Sequence, residues 1–184
     1  LDFQQACQEE NPDCWTFGEV VTPPDEQITF AGGMHGTLDF LTCQAIRETF
    51  ATGNWSLSHF AGYLENYWAA YPREFSRPAF IDNHDMNRFF FTAEGSVSAQ
   101  EAALRLLYLM PGPPIVYYGS ERELSQRQSI HSDDALGFDE ARVAINWDEQ
   151  DERNSAKVMR EMAAFRRENF WLSHARWHTR ELEP

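Results

Sequence analysis

The sequence lacks any apolar run near the roughly 18 residues that a membrane-spanning helix needs. Basic residues are scarce, since 15 Lys and Arg stand against 29 Asp and Glu, a formal net charge of −14. This excess of negative charge would repel a phosphate backbone, so we expect no nucleic acid as a partner. Because no apolar run is long enough to span a bilayer, we also expect no membrane partner. Repeats and low-complexity tracts are also absent, and 42% of the residues are hydrophobic. These features indicate a globular domain with a buried core.

Cysteine is rare as well. Cys7, Cys14 and Cys43 show none of the spacings that are typical of metal sites. Their odd number disfavours a complete disulfide framework, and we expect no metal and no cofactor. The chain begins with Leu1 and not with Met, which suggests a trimmed sequence or a piece of a longer one.

Short apolar segments with the composition of buried strands recur along the chain. They are predicted at residues 14–21, 37–41, 80–82 and 115–118. Because helical segments separate them, the pattern predicts parallel strands joined by right-handed crossovers. Four such units form either a small open sheet or half of an eight-stranded barrel.

Capping signals and apolar spacing predict where the intervening helices begin. A helix is expected to follow residue 41 and to extend to Phe50. Ser56 or Ser58 can cap the next one, whose apolar positions have the spacing of a buried helix face. The segment Ser98-Ala-Gln-Glu101 has the pattern of a capping box and predicts another helix start.

The C-terminal third combines a long polar loop with a last helix. The loop at residues 121–140 is unusually long for a compact domain, which makes it a candidate functional loop. The helix is predicted at residues 155–169, and its spacing predicts that Val158, Met162 and Phe165 are buried.

The most informative stretch is Phe80-Ile-Asp-Asn-His-Asp-Met-Asn-Arg88, an apolar strand that ends in a polar cluster. Upstream, Trp15-Thr-Phe-Gly-Glu-Val20 is an apolar strand that ends in a single carboxylate. Downstream, residues 110–121 place a third strand behind a turn rich in Pro and Gly. Parallel strands bring such ends to one edge of a sheet, where a substrate can reach the polar groups.

These segments resemble motifs of the α-amylase family, glycoside hydrolase family 13. Residues 80–85 resemble its strand-seven motif, residues 17–20 its strand-five motif and residues 111–119 its strand-eight segment. Residues 142–147 resemble the stretch that follows, and the order and spacing agree over nearly the whole chain. The resemblance implies an α/β fold, a partial TIM barrel with four βα units and parallel strands. Residues 1–184 would then be a single domain, the C-terminal half of an amylase-type (β/α)8 barrel.

The resemblance also implies roles for individual residues. Glu19 matches the general acid/base, and Asp85 matches the carboxylate that holds the sugar's ring hydroxyls and supports the transition state. His84 matches the His that hydrogen-bonds the sugar in the −1 subsite. Asn83 and Arg88 belong to the same substrate-binding motif, where we expect them to serve its architecture.

Aromatic residues at the end of the strand-eight segment are further candidates for substrate binding. Sugar rings stack on aromatic faces through their C–H groups, so Tyr118 and its neighbour Tyr117 could contact a sugar. Packing inside the core is the alternative for both rings. The metal site of many amylases draws mostly on residues outside the matched part of the family, which agrees with the expectation of no metal.

A retaining glycosidase needs a second carboxylate about 5 Å from its acid, to attack the anomeric carbon. In the resembled family this nucleophile is an Asp in an Arg-x-Asp setting on strand four, and no Arg-x-Asp precedes Glu19 here. The sequence therefore matches strands five to eight and lacks the N-terminal half and the domain after the barrel. Asp39 is a poor substitute, since we expect it to cap or hydrogen-bond locally.

The resulting functional expectation is a catalytic-domain fragment of a retaining, α-glucan-acting hydrolase that is inactive alone. The alternative is a non-catalytic carbohydrate-binding or scaffold protein derived from an amylase. A small α/β protein of unrelated role is a third possibility. The expected ligand is an α-glucan or maltooligosaccharide. Because the outer strands of a half barrel expose unpaired backbone groups, we also expect self-association or pairing with a missing half-barrel chain.

Overall fold

A computed structural model describes residues 2–148, 152–175 and 178 of the chain. Two short strands and a set of helices make up the regular structure of these residues. The strands are β1 (Phe17–Gly18) and β2 (Gly36–Thr37). The helices are α1 (Asp2–Glu10), α2 (Pro24–Ile28), α3 (Phe40–Ile46), α4 (Leu57–Ala69), α5 (Phe89–Thr92), α6 (Val97–Leu109) and α7 (Asn154–Glu168). Within the described residues, no helix combines the length and hydropathy that crossing a bilayer requires.

The two strands are parallel neighbours. Phe17 lies opposite Gly36 and Gly18 opposite Thr37. The pairing continues past β1, because the N–H of Leu38 donates to the carbonyl of Gly18 at 2.9 Å. This register fixes the direction in which both strands leave the sheet.

Two further segments continue the same order without forming regular strands. A parallel bridge joins Gly36 to Ser76, and the N–H of Asp39 donates to the carbonyl of Pro78 at 2.9 Å. A second parallel bridge joins Ala79 to Pro114. The backbone bonds therefore place β1, β2, residues 76–79 and residues 113–115 side by side, all running in one direction.

The predicted strands are longer than those observed, and those at residues 80–82 and 115–118 are wrong. Among the described residues, the pairing of these two segments falls earlier, at residues 76–79 and 113–115. Pro113 and Pro114 have no N–H to donate, so Ile115 alone supplies the next donor, to the carbonyl of Ala79 at 2.7 Å. The expectation of four regular strands thus becomes a two-stranded sheet with two bridged neighbours.

Serine side chains set the starts of α4 and α6. Ser56 caps α4, since its Oγ accepts from the N–H of His59 at 3.1 Å. The capping box predicted at residue 98 is wrong, because Ser96 is the N-cap of α6 and accepts from the N–H of Ala99 at 3.3 Å. Gly95, with φ +77°, turns the chain just before this serine, so the helix begins two residues earlier than predicted.

The main core lies between α3, the π-helical turn Arg47–Ala51, α4, α6 and α7. Val158 of α7 is buried and Met162 packs at the edge of the core, as expected. The predicted burial of Phe165 is wrong, because its side chain is 42% exposed. The next residue, Arg166, points inward instead. Because successive residues of a helix are rotated by about 100°, Phe165 then points away from the core.

Arg166 binds the chain where α6 ends. Its guanidinium donates to the carbonyls of Tyr108, Met110, Pro111 and Gly112, at 2.9, 2.6, 3.1 and 3.0 Å. Carbonyls at a helix C-terminus have no partner within the helix, so this one side chain satisfies them. The contact joins α7 to the turn that leads into residues 113–115.

Candidate functional site

The polar cluster predicted from the sequence forms a turn directly after a buried segment. Phe80, Ile81 and Asp82 are buried, and the chain then turns outward. The N–H of Asp85 donates to Oδ1 of Asn83 at 2.9 Å, a local bond that is typical of Asx turns. The side chains of His84 and Asp85 are therefore open to solvent, with exposed fractions of 52% and 41%.

Asp85 is held by two cationic or potentially cationic partners. Nη2 of Arg142 lies 2.9 Å from its Oδ1, and Nε2 of His84 lies 3.3 Å from its Oδ2. Arg142 also donates through Nε to the carbonyl of His84 at 3.1 Å and pairs with Asp139 at 3.2 Å. These contacts fix the direction of the Asp85 carboxylate while leaving it reachable from solvent.

Arg142 is a candidate site residue that the sequence patterns did not single out. Its partner Asp85 lies 57 residues earlier in the chain, so no local pattern connects them. The one available signal was that Arg142 begins the segment 142–147, which resembles the stretch after strand eight.

Arg88 lies beneath the turn and is completely buried. Its Nε donates to the carbonyl of Ala141 at 2.7 Å, and its Nη1 donates to the carbonyl of Tyr118. The guanidinium also lies over the ring of Tyr117, 4.0 Å from the centroid. Because its side chain is fully buried, Arg88 packs beneath the turn and cannot contact a ligand in solvent.

Tyr118 lies at the same place and keeps part of its ring in solvent. Its hydroxyl donates to the carbonyl of Val143 at 2.9 Å. The ring meets that of Tyr117 edge to face, with centroids 4.7 Å apart. Tyr118 is thus anchored by its hydroxyl and its neighbour but is not buried, and the exposed face of its ring is available to stack on a ligand.

The long loop docks on the polar turn through side-chain amides. Oδ1 of Asn87 accepts from Nε2 of Gln126 at 2.7 Å and from the N–H of Ile130 at 2.9 Å. Oε1 of Gln126 in turn accepts from the N–H of Arg88 at 2.6 Å. These bonds place the loop next to Asp85, where it can shape a binding surface.

Glu140 organises the far end of this loop. Its Oε1 accepts from Arg127 at 2.8 Å, from Gln128 at 3.1 Å and from the N–H of Leu136 at 3.2 Å. The hydrogen bond from Arg127 is the main cause that lowers the pKa of Glu140 from its ordinary value. The ionised carboxylate is therefore the form that keeps the loop in place.

Glu19 follows β1 directly and is exposed. Asp85 follows residues 76–79, which are parallel to β1 on the other side of β2. Both acids therefore come after the C-terminal ends of parallel segments. Among the contacts of the described residues, Asp85, His84 and Arg142 bind one another directly, and no hydrogen bond or ion pair joins Glu19 to Asp85 or His84.

Two other carboxylates near the strand ends are buried. Asp39 caps α3, accepting from the N–H and the hydroxyl of Thr42 at 2.9 and 2.7 Å and from the Tyr67 hydroxyl at 2.9 Å. The expected local capping by Asp39 is confirmed. Asp82 accepts from the N–H of Phe89 at 2.8 Å. Burial raises the pKa of both carboxyls, and neither faces solvent.

A surface groove of about 580 Å³ lies beside the polar turn and is lined in part by Asn87, Phe91 and Ser125. A second groove, of about 750 Å³, runs along α4 between Leu41 and Tyr63. Within the part of the chain that the structure describes, no group of three His, Cys, Asp or Glu side chains is placed to hold a metal ion.

Comparison with known proteins gives related sequences and structures. Alpha-amylase 2 of Dictyoglomus thermophilum is 29% identical over 166 residues, which cover 90% of this chain and 29% of that protein. A cyclomaltodextrin glucanotransferase of Paenibacillus macerans is 31% identical over 167 residues, 87% of this chain and 22% of that protein. The ligand-free cyclic alpha-maltosyl-(1→6)-maltose hydrolase of Arthrobacter globiformis superposes with a TM-score of 0.83 at 25% identity.

The superposition covers 99% of this chain and 40% of the hydrolase chain. The chain thus spans well under half the length of each of these relatives, and its fold is an α/β fragment of the TIM-barrel fold of amylases. The family model described as "Alpha amylase, catalytic domain" matches residues 1–176. The chain therefore belongs to the α-amylase family, glycoside hydrolase family 13.

Proposed function

We propose that these 184 residues form the acid/base side of an α-glucan-cleaving active site, in the C-terminal half of an amylase-type (β/α)8 barrel. The single observation that carries the proposal is the order of the four parallel segments. β1, β2, residues 76–79 and residues 113–115 lie side by side, as consecutive strands five to eight of a barrel would. In such barrels, catalytic groups follow the C-terminal ends of the strands.

Glu19 is proposed as the general acid/base. Adjacent strands lie about 4.8 Å apart, so the backbones that lead to Glu19 and Asp85 are separated by roughly 10 Å across β2. Two inward-pointing carboxylates can approach from that distance on a curved sheet, with a sugar ring between them. In this arrangement Glu19 protonates the glycosidic oxygen as the bond breaks and then takes a proton from the attacking water.

Asp85 and His84 are proposed to hold the sugar ring. The carboxylate of Asp85 can accept hydrogen bonds from ring hydroxyls, and those bonds strengthen as charge develops in the transition state. Asn83 sets the turn, Arg88 supports it from below, and the outer face of Tyr118 offers a stacking surface. These roles use the contacts of each side chain as the structure has them.

The nucleophile is proposed to come from residues outside this segment, on the same polypeptide or on a partner. Asp39 and Asp82 are buried and already accept several hydrogen bonds, so neither can attack a sugar. The exposed edge of the sheet at β1 supports pairing with a further part of the barrel, since the apolar side chains of Phe17 and Val21 are 44% and 70% exposed there. Either a second copy of the chain or a complementary half barrel can cover this edge, and the chain alone is proposed to be inactive.

An α-glucan or maltooligosaccharide is the proposed ligand. The relatives are an alpha-amylase, a cyclomaltodextrin glucanotransferase and a hydrolase of a maltose-containing ring. Their names describe substrates built from α-linked glucose. The open Asp85–His84–Arg142 cluster, with an aromatic face nearby, fits a neutral polyhydroxy ligand.

Titration of the isotopically labelled chain with maltotetraose tests the proposal. We expect NMR shifts to concentrate at His84, Asp85 and Tyr118, and we expect the Asp85→Ala variant to lose them. Glu65→Ala on the exposed side of α4 is a matched control that keeps binding. Absence of binding, or shifts confined to the groove along α4, would overturn the assignment of the site.

An assay for reducing sugar tests the second part. We expect no release from maltotetraose by the chain alone. Release that disappears in Glu19→Gln would support the acid/base role but would refute a nucleophile outside the segment. It would also exclude the alternative of a non-catalytic carbohydrate-binding or scaffold protein.

A further inference from the structure

Two half-exposed cysteines near the start of the chain face each other across a short turn. Gln4, Cys7 and Gln8 lie on one side of α1, since positions i, i+3 and i+4 share a helix face. The amides of Gln4 and Gln8 approach Nε2 of His35 at 3.1 and 3.4 Å. Cys7 is therefore on the face of α1 that packs against the sheet, in agreement with its partial burial.

Cys14 faces this same side of the helix. His35 accepts through Nδ1 from the N–H of Thr16 at 3.0 Å, and the Thr16 side chain contacts the same nitrogen. Residues two apart in an extended segment point the same way, so Cys14 shares the direction of Thr16. Trp15 between them is exposed, as this alternation requires.

The backbone also draws the two cysteines together. The N–H of Asn11 donates to the carbonyl of Cys7, and the N–H of Cys14 donates to the carbonyl of Asn11, both at 2.9 Å. The thiol of Cys14 is a neighbour of that of Cys7. Burial, together with this neighbouring thiol, raises the pKa of Cys7.

We propose that Cys7 and Cys14 are a modification site that forms a reversible disulfide under oxidation by a small disulfide such as oxidised glutathione. The thiolate of one cysteine attacks the small disulfide, forms a mixed disulfide and releases one glutathione thiol. The thiolate of the other cysteine then displaces the second glutathione. The protein loses two protons and two electrons, and the reagent takes them up as it becomes two thiols. The bond fastens α1 to the segment that enters β1.

Intact-mass measurement of the folded chain with oxidised glutathione tests the proposal. We expect the mass to fall by two hydrogens, with Cys43 unmodified because it is only 1% exposed. A protease that cleaves after Glu10, Glu19 and Glu26 places each cysteine on its own peptide. The peptides that carry Cys7 and Cys14 should then be joined, and a thiol reductant should separate them.

Serine variants provide the matched controls. The Cys43→Ser variant should still lose two hydrogens. The Cys14→Ser variant should instead keep one bound glutathione, because no second thiolate can displace it. In the oxidised wild-type chain we expect a higher melting temperature, because the closed loop restricts the unfolded state. Separate glutathione adducts on Cys7 and Cys14 without a bond between them, or a joined peptide that contains Cys43, would refute the proposal.

Discussion

Replacement of Gly36 by alanine is expected to break the pairing between β2 and its neighbour. A Cβ at this position would lie 2.0 Å from the carbonyl oxygen and 2.7 Å from the carbonyl carbon of Ser76. Non-bonded heavy atoms settle at about 3.5 Å, so the two backbones must separate by roughly 1.5 Å. The obstacle is backbone on both sides, and no side-chain rotation can relieve it.

The cost follows from the bonds at this point. The N–H of Thr37 donates to Ser76 at 3.2 Å, and the N–H of Ser76 donates to His35 at 2.8 Å. Separation of the backbones takes both out of hydrogen-bonding range, at about 1 kcal/mol each. With about 1–3 kcal/mol of overpacking strain, we expect a loss of about 3–5 kcal/mol in the free energy of unfolding. That is a large part of the stability of an ordinary domain.

Urea unfolding followed by tryptophan fluorescence measures this loss. Gly62→Ala is the control, because Gly62 lies inside α4 and a Cβ there meets no atom within 4 Å. Alanine is favoured over glycine in a helix interior, so the control should gain about 0.5–1 kcal/mol. Equal midpoints for Gly36→Ala and the wild type would refute the close approach of β2 to residues 76–79.

Three further variants or conditions probe the other contacts. Arg166→Ala should lower the free energy of unfolding by about 2–4 kcal/mol, because it removes the hydrogen bonds to the carbonyls at the end of α6. Arg167→Ala, at an exposed position, should change that free energy by less than about 0.5 kcal/mol. Similar urea midpoints for the two variants would contradict the role of Arg166. Arg142→Ala should weaken maltotetraose binding about two- to fivefold, since an exposed ion pair contributes at most about 1 kcal/mol. Arg142→Lys should recover part of the affinity, as measured by NMR titration. Unchanged binding in both variants would show that Asp85 needs no such partner. The pKa of Glu140 is lowered in the folded chain from an ordinary value of 4.5, so its contribution is present above that value and is lost as the pH falls through the folded pKa. The hydrogen-exchange protection factors of the loop at residues 121–140 should therefore fall at acid pH, and those of Glu140→Gln should be low at every pH.

The sequence located the segments of the fold better than their lengths. Strand propensity correctly placed apolar segments near β1, β2 and their two neighbours. It could not show that the ladder forms at residues 76–79 and 113–115, where Pro113 and Pro114 supply no donor. Such outcomes depend on competition for hydrogen bonds between segments that are far apart in the chain.

Short helices were missed for related reasons. α2 begins at Pro24. Two consecutive prolines can mark the end of a strand as readily as the first turn of a helix. The sequence Phe-Phe-Phe-Thr of α5 has the composition of a strand, and its N-terminal N–H group is bound by the buried carboxylate of Asp82. Tertiary context decided both cases against local propensity.

A local motif suggested some residues of the candidate site, and others came only from the structure. Family resemblance pointed to His84 and Asp85, which the structure places on an exposed turn. Gln126 binds the N–H of Arg88 from 38 residues away in the chain, and Arg142 binds Asp85 from 57 residues away. Local sequence patterns do not connect residues across such separations.

Arg88 fixes both ends of the long loop through main-chain oxygens, those of Tyr118 and Ala141. Every residue type supplies the same carbonyl, so this clasp does not depend on which side chains the loop carries. Substitutions within the loop therefore leave this clasp in place, provided that Gln126 and Glu140, whose side chains also hold the loop, are kept. A selection experiment on the loop would do best to randomise its other positions and to leave Arg88, Gln126 and Glu140 untouched.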